Sequence, residues 1–296
     1  MAKIGFIGLG NMGLPMAGNL VKAGHAVAGF DLVRENLQRA ADRGVNAEHS
    51  AEHAAKDADV VVTMLPAGKQ VLEVYSGGML KAAKPGTLFI DSSTIDVTSA
   101  RAAHRLASQT DMASLDAPVS GGVSGAEAAS LTFMAGGATA AFAQAKPILE
   151  SMGRRVIHCG EAGAGQAAKI CNNMMLGINM IGVSEAFTLA EKLGLSHKAL
   201  FDVAAASSGQ SWALTSYCPV PGLVPSSPAN NNYQPGFASA LMLKDLKLAQ
   251  EAAAGAGAST PMGAAAAQLF GLHNAWGEGG TDFSGIIHLI RGKGGQ

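Results

Sequence analysis

The stretch KIGFIGLGNMGLPMAGNLVKAG, residues 3–24, decides the fold of this 296-residue chain. Its first five residues predict a buried strand, and a glycine-rich turn with the GxGxxG spacing of Gly8, Gly10 and Gly13 follows at once. A helix is predicted next, with Pro15 in its first turn. Strand, glycine turn and helix in this order predict the start of a dinucleotide-binding domain.

An acid at the end of the next predicted strand supports this interpretation. HAVAGF, residues 25–30, predicts the strand, and Asp31 follows it, about 20 residues after the glycine turn. A carboxylate there accepts hydrogen bonds from the ribose of the cofactor and repels a 2′-phosphate, so NAD is expected rather than NADP. Arg34 is able to pair with such a phosphate, although a solvated arginine at a helix start is the other interpretation. The predicted pyrophosphate-binding turn consists of Gly8, Gly10, Asn11, Met12 and Gly13.

Composition limits the class of partner. With 48% hydrophobic and 15% charged residues the chain has ample core for two domains. A net charge of -1 gives no electrostatic footprint for nucleic acid or an anionic membrane, and no apolar run reaches the roughly 18 residues of a membrane span. The three cysteines form no CxxC pair, so neither a disulfide framework nor a metal site is expected. We expect a cytoplasmic protein with a small-molecule ligand and no nucleic acid or membrane partner.

Two further predicted strands end on short loops. DVVVTMLP begins at Asp59 and ends on Leu65 and Pro66, and TLFIDSST begins at Thr87 and ends near Thr94. In an open parallel sheet, ligands bind outside the carboxyl ends of the strands, so the loops with Leu65, Pro66 and Thr94 are expected to contact the cofactor or the substrate, and we assign the three residues to the cofactor. For Thr94, the N-cap of the following helix is an equal alternative.

The segment DAPVSGGVSG, residues 116–125, follows another predicted strand and is flexible in composition. The consecutive backbone N–H groups of Ser120, Gly121 and Gly122, together with the Ser120 hydroxyl, suit the carboxylate of a substrate. An ordinary connecting loop is the alternative. Pro118 stands where a nucleophile elbow needs glycine, so Ser120 is not expected to act as a nucleophile.

Residues 163–193 predict one helix of about 45 Å, because no proline interrupts them and Gly194 supplies a stop. Its apolar middle predicts burial on most sides. Lys169 and Asn173 are four residues apart and share one face, whereas Cys171 points elsewhere and is expected in the core. For Lys169 a solvated first turn is the alternative interpretation.

The composition changes after this helix. Helical patterns separated by glycine and proline predict a mainly helical domain. We therefore predict a dinucleotide-binding domain over residues 1–163, and a connecting helix with an all-α domain over residues 164–296. Residues 218–237, rich in proline and asparagine, predict an extended loop of the kind that forms a lid or an interface arm.

Two pairs of residues in this second half are candidates for a ligand site. Trp212 and Tyr217 precede the loop and either wall a small-molecule site or pack in the core. Lys244 and Asp245 open a predicted alanine-rich helix, and a solvated charged turn is the simple interpretation.

Together these motifs resemble the β-hydroxyacid dehydrogenase family, most closely its 3-hydroxyisobutyrate dehydrogenase branch, over nearly the whole chain. GLGNMGLPMAGNL resembles the family's cofactor signature and DAPVSGGVSGAE its substrate loop. GAGQAAKICNN resembles its catalytic helix and KDLKLA its second cofactor segment. SSGQSWALTSYCPVPG is similar to the branch in particular, and Ala129 stands where the family's loop usually carries glycine.

The resemblance implies a Rossmann domain, a long connecting helix and an all-α domain that forms a homodimer or homotetramer. It implies that Lys169 is the catalytic acid and base and that Asn173 hydrogen-bonds the substrate. The further implied roles are carboxylate binding by Ser120, Gly121 and Gly122, lining of the substrate pocket by Trp212 and Tyr217, and contact with the nicotinamide end of the cofactor by Lys244 and Asp245.

The implied reaction is oxidation of a small 3-hydroxy acid, 3-hydroxyisobutyrate to methylmalonate semialdehyde, with NAD as hydride acceptor. A partly desolvated Lys169 beside a cationic nicotinamide has its ammonium form disfavoured, so we expect its pKa to fall toward the working pH. NAD-dependent L-serine dehydrogenase and tartronate semialdehyde or glyoxylate reductase are the alternatives within the same class. Outside that class, the alternative is a nucleotide-binding module without turnover.

Overall fold

The computed structural model describes residues 1–292 and divides the chain into two compact units, Met1–Lys169 and a second that begins at Ile170. The division falls inside the long helix, so the first turns of that helix belong to the first unit. The domain boundary between residues 163 and 164 stays a prediction.

Within the described residues, the first unit is built on one nine-stranded sheet. Its strands are β1 (Lys3–Ile7), β2 (Ala26–Phe30), β3 (Asn46–Ala47), β4 (Val60–Thr63), β5 (Leu88–Asp91), β6 (Ala113–Asp116), β7 (Val119–Ser120), β8 (Leu131–Gly136) and β9 (Gly153–Gly160). The order is β3-β2-β1-β4-β5-β6-β8-β7, with β9 beside β8. The first six strands are parallel, and β8 is antiparallel to β6 and β7. The predicted Rossmann-type sheet is confirmed.

Helices cover both faces of this sheet. They are α1 (Gly13–Lys22), α2 (Arg34–Ala41), α3 (Ala51–Lys56), α4 (Gly68–Val74), α5 (Leu80–Ala82), α6 (Val97–Ser108), α7 (Gly122–Glu127) and α8 (Thr139–Glu150), with a π-helical turn at Tyr75–Met79. Successive strand residues point to opposite faces, so Val62 and Ile90 pack in one core while Val61 and Phe89 pack in the other. Burial on both faces explains why these strands are apolar throughout rather than alternating.

The carboxyl ends of four parallel strands meet at one edge of the sheet. Ile7 pairs with Thr63, Thr63 with Asp91, and Asp91 with Asp116. The loops that follow these strands therefore lie on the same edge, as predicted for a ligand site.

The long helix α9 spans Ala164–Lys192, 29 residues. Its apolar middle is buried or half-buried on most sides, as predicted, and one exposed stripe runs along the helix every three to four residues. That stripe includes Cys171, Met175 (56% exposed) and Leu189 (60% exposed). Cys171 is thus exposed and not in the core as expected.

The second unit is mainly helical, as predicted. Its helices after α9 are α10 (His197–Ala205), α11 (Trp212–Thr215), α12 (Ser239–Ala256), α13 (Pro261–Ala275) and α14 (Ile286–Ile290), with 3-10 turns at Pro228–Asn231, Glu278–Gly280 and Phe283–Gly285. Because α12 begins at Ser239, Lys244 and Asp245 lie in its second turn and do not open it, which corrects the prediction.

The predicted loop over residues 218–237 is confirmed, and its interior is packed. Cys218, Val220 and Val224 are buried in one apolar cluster with Phe187 of α9 and Ile287 of α14. The loop therefore contributes to the core of the second unit. Among the described residues, no helix combines the length and the apolar content that crossing a bilayer requires.

Candidate active site

The glycines of the turn after β1 have two different roles. A Cβ on Gly8, whose φ is +93°, would lie 2.2 Å from the Met64 carbonyl oxygen, and one on Gly13 would lie 1.9 Å from the Gly8 carbonyl oxygen. Packing therefore requires both glycines. A Cβ on Gly10 meets nothing within 4 Å. The open space at Gly10 is where the backbone of this turn can approach a pyrophosphate.

The first turn of α1 supplies donors for the same group. Met12 is its N-cap residue and makes no side-chain cap hydrogen bond, and Asn11 before it is exposed. An N-terminus without a side-chain cap has backbone N–H groups and a dipole that favour a bound anion. The turn and the helix start therefore fit the pyrophosphate of a dinucleotide.

Asp31 is held in place against the glycine turn. Its Oδ2 accepts a hydrogen bond from the Leu9 backbone N–H at 2.7 Å, and its Oδ1 accepts one from Val33 at 2.8 Å. Each carboxylate oxygen keeps a further lone pair for a ribose hydroxyl. Arg34, the first residue of α2, is exposed, as the solvated interpretation expects.

The loops after β4 and β5 are joined by a side chain. The backbone N–H of Leu65 donates to Ser93 Oγ at 2.8 Å, next to half-buried Thr94, while Pro66 is exposed. The N-cap alternative for Thr94 is wrong, because Asp96 caps α6 by accepting from the Ser99 N–H at 2.7 Å. An aspartate two residues on is a better N-cap than threonine, and sequence position alone did not separate the two.

Below these loops lies a buried carboxylate. Asp91 Oδ1 accepts hydrogen bonds from Ser93 Oγ at 2.6 Å and from Thr63 Oγ1 at 2.7 Å, and the side chain is 3% exposed. Burial raises the pKa of Asp91 to about 6, although the hydrogen bonds from Ser93 and Thr63 favour the ionised form. The nearby charge of Asp116 raises this pKa further.

Asp116 fixes the start of the long helix, a role that the sequence prediction missed. Its Oδ1 accepts from the Gly163 N–H at 2.8 Å and lies 2.9 Å from His104 Nε2, while its Oδ2 accepts from the Gln166 N–H at 2.8 Å. A carboxylate at the end of β6 thus satisfies N–H groups at the N-terminus of α9. The sequence signal for this role was the position of Asp116 at the end of a predicted strand.

The segment after Asp116 is more ordered than its composition predicts. Ser120 lies in β7, opposite Thr132 of β8, and α7 begins at Gly122. The alternative of an ordinary connecting loop is therefore wrong for these residues. Gly121 and Gly122 have φ values of +135° and +63°. Such glycine backbone conformations suit an anion-binding concavity, so carboxylate binding stays a prediction here.

Ala129 follows α7 with a φ of +51°. Alanine in this left-handed region costs roughly 1–2 kcal/mol relative to an unstrained conformation. Ala129 therefore keeps the backbone shape that glycine would adopt without strain.

On α9, Lys169 and Asn173 are both buried, with 6% and 2% of their surface exposed. The solvated alternative for Lys169 is therefore wrong. Asn173 Nδ2 donates to Asp245 Oδ2 of α12 at 2.5 Å, and Asn173 Oδ1 accepts from Asn172 Nδ2 at 2.9 Å. Lys244 Nζ lies 3.7 Å from Asp245 Oδ1. These contacts fix the Asn173 amide and leave its second N–H for a ligand.

Trp212 and Tyr217 form a stacked pair with ring centroids 4.9 Å apart, and Tyr217 also stacks on Phe283 at 5.3 Å. The Tyr217 hydroxyl donates to Asp282 Oδ2 at 2.8 Å. Burial, together with the charge of Asp282, raises the pKa of Tyr217 above its usual range. Trp212 is 52% exposed, so the core-packing alternative does not hold for it.

Asp282 is a second residue for which the sequence predicted no role. Besides Tyr217, its buried carboxylate accepts from the backbone N–H groups of Gly236 and Phe237, each at 3.0 Å, and from Ser284 Oγ at 2.7 Å. It therefore ties the end of the 218–237 loop to the aromatic pair. Within residues 1–292, no group of three or more His, Cys, Asp or Glu side chains is placed to hold a metal ion.

Comparison with known proteins gives the family. Residues 3–160 match a model described as the NAD binding domain of 6-phosphogluconate dehydrogenase, and residues 163–290 match one described as NAD-binding of NADP-dependent 3-hydroxyisobutyrate dehydrogenase. A Mycobacterium tuberculosis protein named probable 3-hydroxyisobutyrate dehydrogenase is 54% identical over 293 residues, 99% of each chain. The chain belongs to the 3-hydroxyisobutyrate dehydrogenase family.

Two further comparisons show which other proteins the chain is similar to. The NAD-dependent L-serine dehydrogenase of Pseudomonas aeruginosa is 47% identical over 298 residues and covers 100% of both chains. A solved structure of Mycobacterium tuberculosis 3-hydroxyisobutyrate dehydrogenase with L-serine has a TM-score of 0.96 at 54% identity, covering 98% of this chain and 99% of that one. The predicted family, the architecture and the NAD cofactor are confirmed.

Proposed function

We propose that this 3-hydroxyisobutyrate dehydrogenase family member oxidises the primary alcohol of 3-hydroxyisobutyrate to methylmalonate semialdehyde and transfers the hydride to NAD. The observation that carries the proposal is the buried Lys169 on the same face of α9 as Asn173, whose amide is fixed by Asp245. A protein that only bound a nucleotide would have no need to bury an amine beside an oriented amide.

Each group of residues in the proposed site has its own role in the reaction. Lys169 accepts the proton of the substrate hydroxyl while Asn173 donates its second N–H to the substrate oxygen. Ser120, Gly121 and Gly122 hold the carboxylate and so orient the alcohol. NAD, when bound, supplies the hydride acceptor. General base catalysis by a positioned side chain contributes typically ~10²–10⁴-fold, which is the share we assign to Lys169.

The cofactor-binding residues form the second part of the proposal. The glycine turn Gly8–Gly13 and the start of α1 hold the pyrophosphate, and Asp31 holds the adenosine ribose. Support comes from the open space at Gly10 and from the two backbone hydrogen bonds that fix Asp31. The nicotinamide end is assigned to the residues Leu65, Pro66, Thr94, Lys244 and Asp245, and the outer wall of the substrate pocket to Trp212 and Tyr217.

L-serine is the second candidate substrate. One relative is named an NAD-dependent L-serine dehydrogenase, and the Mycobacterium tuberculosis relative was solved with L-serine. Serine has the same carboxylate and primary alcohol as 3-hydroxyisobutyrate, with an ammonium group where 3-hydroxyisobutyrate has a methyl group. Tartronate semialdehyde and glyoxylate are further candidate substrates of the same class, and the enzyme would act on them in the reductive direction.

The experiment that tests the proposal is NADH production by the purified protein with 3-hydroxyisobutyrate, L-serine and glycerate side by side, each repeated with NADP. The proposal expects the highest kcat/KM with 3-hydroxyisobutyrate and NAD. A higher value with L-serine would replace the first candidate by the second. Absence of turnover with every acid, despite tight NADH binding, would contradict the enzymatic assignment and favour a nucleotide-binding module.

A homodimer or homotetramer in the cytoplasm is the remaining part of the proposal. Its support is the exposed stripe on α9 that includes Met175 and Leu189, together with Met262 (63% exposed) and Leu272 (51% exposed) on α13. Apolar side chains that are exposed on the faces of two helices are typical of a surface that a second copy covers. The test is the molar mass in solution, with Leu189→Glu expected to shift the protein toward the monomer.

A further inference from the structure

We infer that Gln166 is a positioning residue that holds the loop carrying Thr94 in register with the turn of α9 that carries Lys169. The inference rests on the proposed function, since it concerns the placement of a cofactor-binding loop and of the catalytic amine. It adds a residue for which the sequence predicted no role.

The side chain of Gln166 bridges the two backbone groups on either side of Thr94. Its Nε2 donates to the Ser93 carbonyl oxygen at 2.7 Å, and its Oε1 accepts from the Ile95 N–H at 3.1 Å. Gln166 is 0% exposed, so water cannot replace either bond. A planar amide that makes one bond in each direction fixes both the position and the orientation of the residue between its partners.

The backbone of Gln166 is fixed as well. Its N–H donates to Asp116 Oδ2 at 2.8 Å, and Asp116 Oδ1 accepts from Gly163 at 2.8 Å. The start of α9 is therefore attached to the end of β6 by Asp116 and to the loop after β5 by the Gln166 side chain. Both attachments oppose rotation of the first turn of α9 and its movement along the helix axis.

These attachments determine where Lys169 lies. Gln166 and Lys169 are three residues apart and are neighbours on one face of α9, and Asn173 continues that face one turn later. A rotation of the first turn would therefore move the Lys169 amine, and a misplacement of about 1 Å at a reacting group can cost about 10²-fold in rate.

The network also reaches the loop after β4. Ser93, whose carbonyl accepts from Gln166, accepts the Leu65 N–H with its Oγ and donates to Asp91 Oδ1 at 2.6 Å. Gln166 is thus the link between the start of α9 and the two loops that we assign to the nicotinamide end of the cofactor. All of these residues belong to the first unit.

The variant that tests the inference is Gln166→Met, which keeps the length and volume of the side chain and removes both hydrogen bonds. The matched control is Thr87→Val, at the opposite end of β5. Thr87 is also 0% exposed and donates from its hydroxyl to the carbonyl oxygens of Ala58 and Lys84 at 2.9 and 2.8 Å. Gln166→Met leaves the Ser93 carbonyl and the Ile95 N–H unpaired, and Thr87→Val leaves the buried Ala58 carbonyl unpaired, so both variants are expected to unfold at lower temperature.

The two variants should differ in kinetics. At a temperature where each is folded, we expect kcat to fall about 10-fold in Gln166→Met and less than about 2-fold in Thr87→Val. With substrate deuterated at the alcohol carbon, the isotope effect on kcat should be larger in Gln166→Met than in wild type, because misplacement slows the chemical step. A stability loss without these kinetic changes would overturn the positioning role.

Gln166→Glu provides a second test through its pH profile. A protonated glutamate can donate one hydrogen bond and accept another, in the directions that the Gln166 amide uses here, whereas the ionised form cannot donate to the Ser93 carbonyl. The titratable neighbours are Asp116, Asp91 and His104 in the network and Lys169 on the same face of α9, and wild type and variant share all four. We therefore expect the ratio of the variant's kcat to that of wild type to rise as pH falls. A pH-independent ratio would count against the hydrogen bond to Ser93.

The proposed function and the positioning role fail differently. Absence of turnover by the wild-type protein with every acid contradicts the proposed function. Wild-type turnover with an unchanged kcat and isotope effect in Gln166→Met contradicts the positioning role alone.

Discussion

The side-chain amide of Asn173 on α9 donates a 2.5 Å hydrogen bond to the carboxylate of Asp245 on α12. Both side chains are buried, at 2% and 3% exposed. The resemblance implied separate roles for them, Asn173 at the substrate and Asp245 at the cofactor. The bond indicates that Asp245 also orients the Asn173 amide.

Asp245→Ala should therefore impair catalysis more than cofactor binding. Its removal leaves the Asn173 N–H without its buried acceptor, at a cost of about 1–3 kcal/mol, whereas Asp245→Asn keeps an acceptor oxygen and should lose less. We expect kcat/KM to fall about 10- to 100-fold in Asp245→Ala, with a smaller change in the dissociation constant of NADH. A double-mutant cycle with Asn173→Ala is the check, and additive losses would contradict the coupling.

Asp31 should set the choice between NAD and NADP. Replacing it by alanine removes the ribose acceptor and the repulsion of a 2′-phosphate, and it also frees the Leu9 N–H. We expect the dissociation constant of NADH to rise about 10-fold and the preference for NADH over NADPH to shrink. Arg34→Ala is the control: because Arg34 is solvated, its removal should leave NADH binding unchanged. Equal losses of both cofactors in Asp31→Ala would argue against a role in selectivity.

Asp91 should make the stability of the first unit depend on pH. Its folded pKa, raised by burial to about 6, lies above the unfolded value of 3.8, so the folded state binds this proton more tightly. Its contribution is fully present below about pH 4 and is lost as pH rises through about 6. Asp91→Asn keeps an acceptor for Thr63 and Ser93 and removes the titration. Relative to wild type, the variant should therefore gain up to about 3 kcal/mol between pH 4 and pH 7.

The measurement is the unfolding midpoint of both proteins over that pH range. A constant difference between Asp91→Asn and wild type would show that Asp91 titrates at its ordinary pKa.

The position of the Tyr217 ring should control substrate affinity. A Cβ on Gly236 would lie 2.6 Å from the Tyr217 hydroxyl, so Gly236→Ala must displace the ring or break its bond to Asp282. We expect KM for the hydroxy acid to rise about 10-fold with a smaller change in kcat. The control is Gly255→Ala in α12, where a Cβ meets nothing within 4 Å and alanine should stabilise the helix by about 0.5–1 kcal/mol. An unchanged KM in Gly236→Ala would remove Tyr217 from the substrate site.

Local sequence pattern was enough to predict the Rossmann-type sheet of the first unit and its glycine turn. The strand, the glycine turn and Asp31 are close in sequence. The turn needs glycine and the ribose needs an acceptor, so few other residue types can stand at these positions. The shared face of Lys169 and Asn173 was equally predictable, because four residues make about one helical turn. The all-α character of the second half followed from its helical periodicity.

The residues whose roles the sequence did not predict act through contacts between segments that are distant in sequence. Asp116 and Gln166 are about 50 residues apart and meet only because β6 and α9 are folded together. Asp282 reaches Tyr217 across 65 residues. The core placement of Cys171 was wrong for a related reason, since local sequence does not show which face of an apolar helix other segments cover.

The central claim is that Lys169 is the general base, and its most direct test is kcat in Lys169→Ala, with Lys169→Met as the variant that keeps the length of the stem. The account predicts that both variants bind NADH as wild type does and lose at least about 10²-fold in kcat with the preferred hydroxy acid. Turnover close to that of wild type in either variant would contradict it.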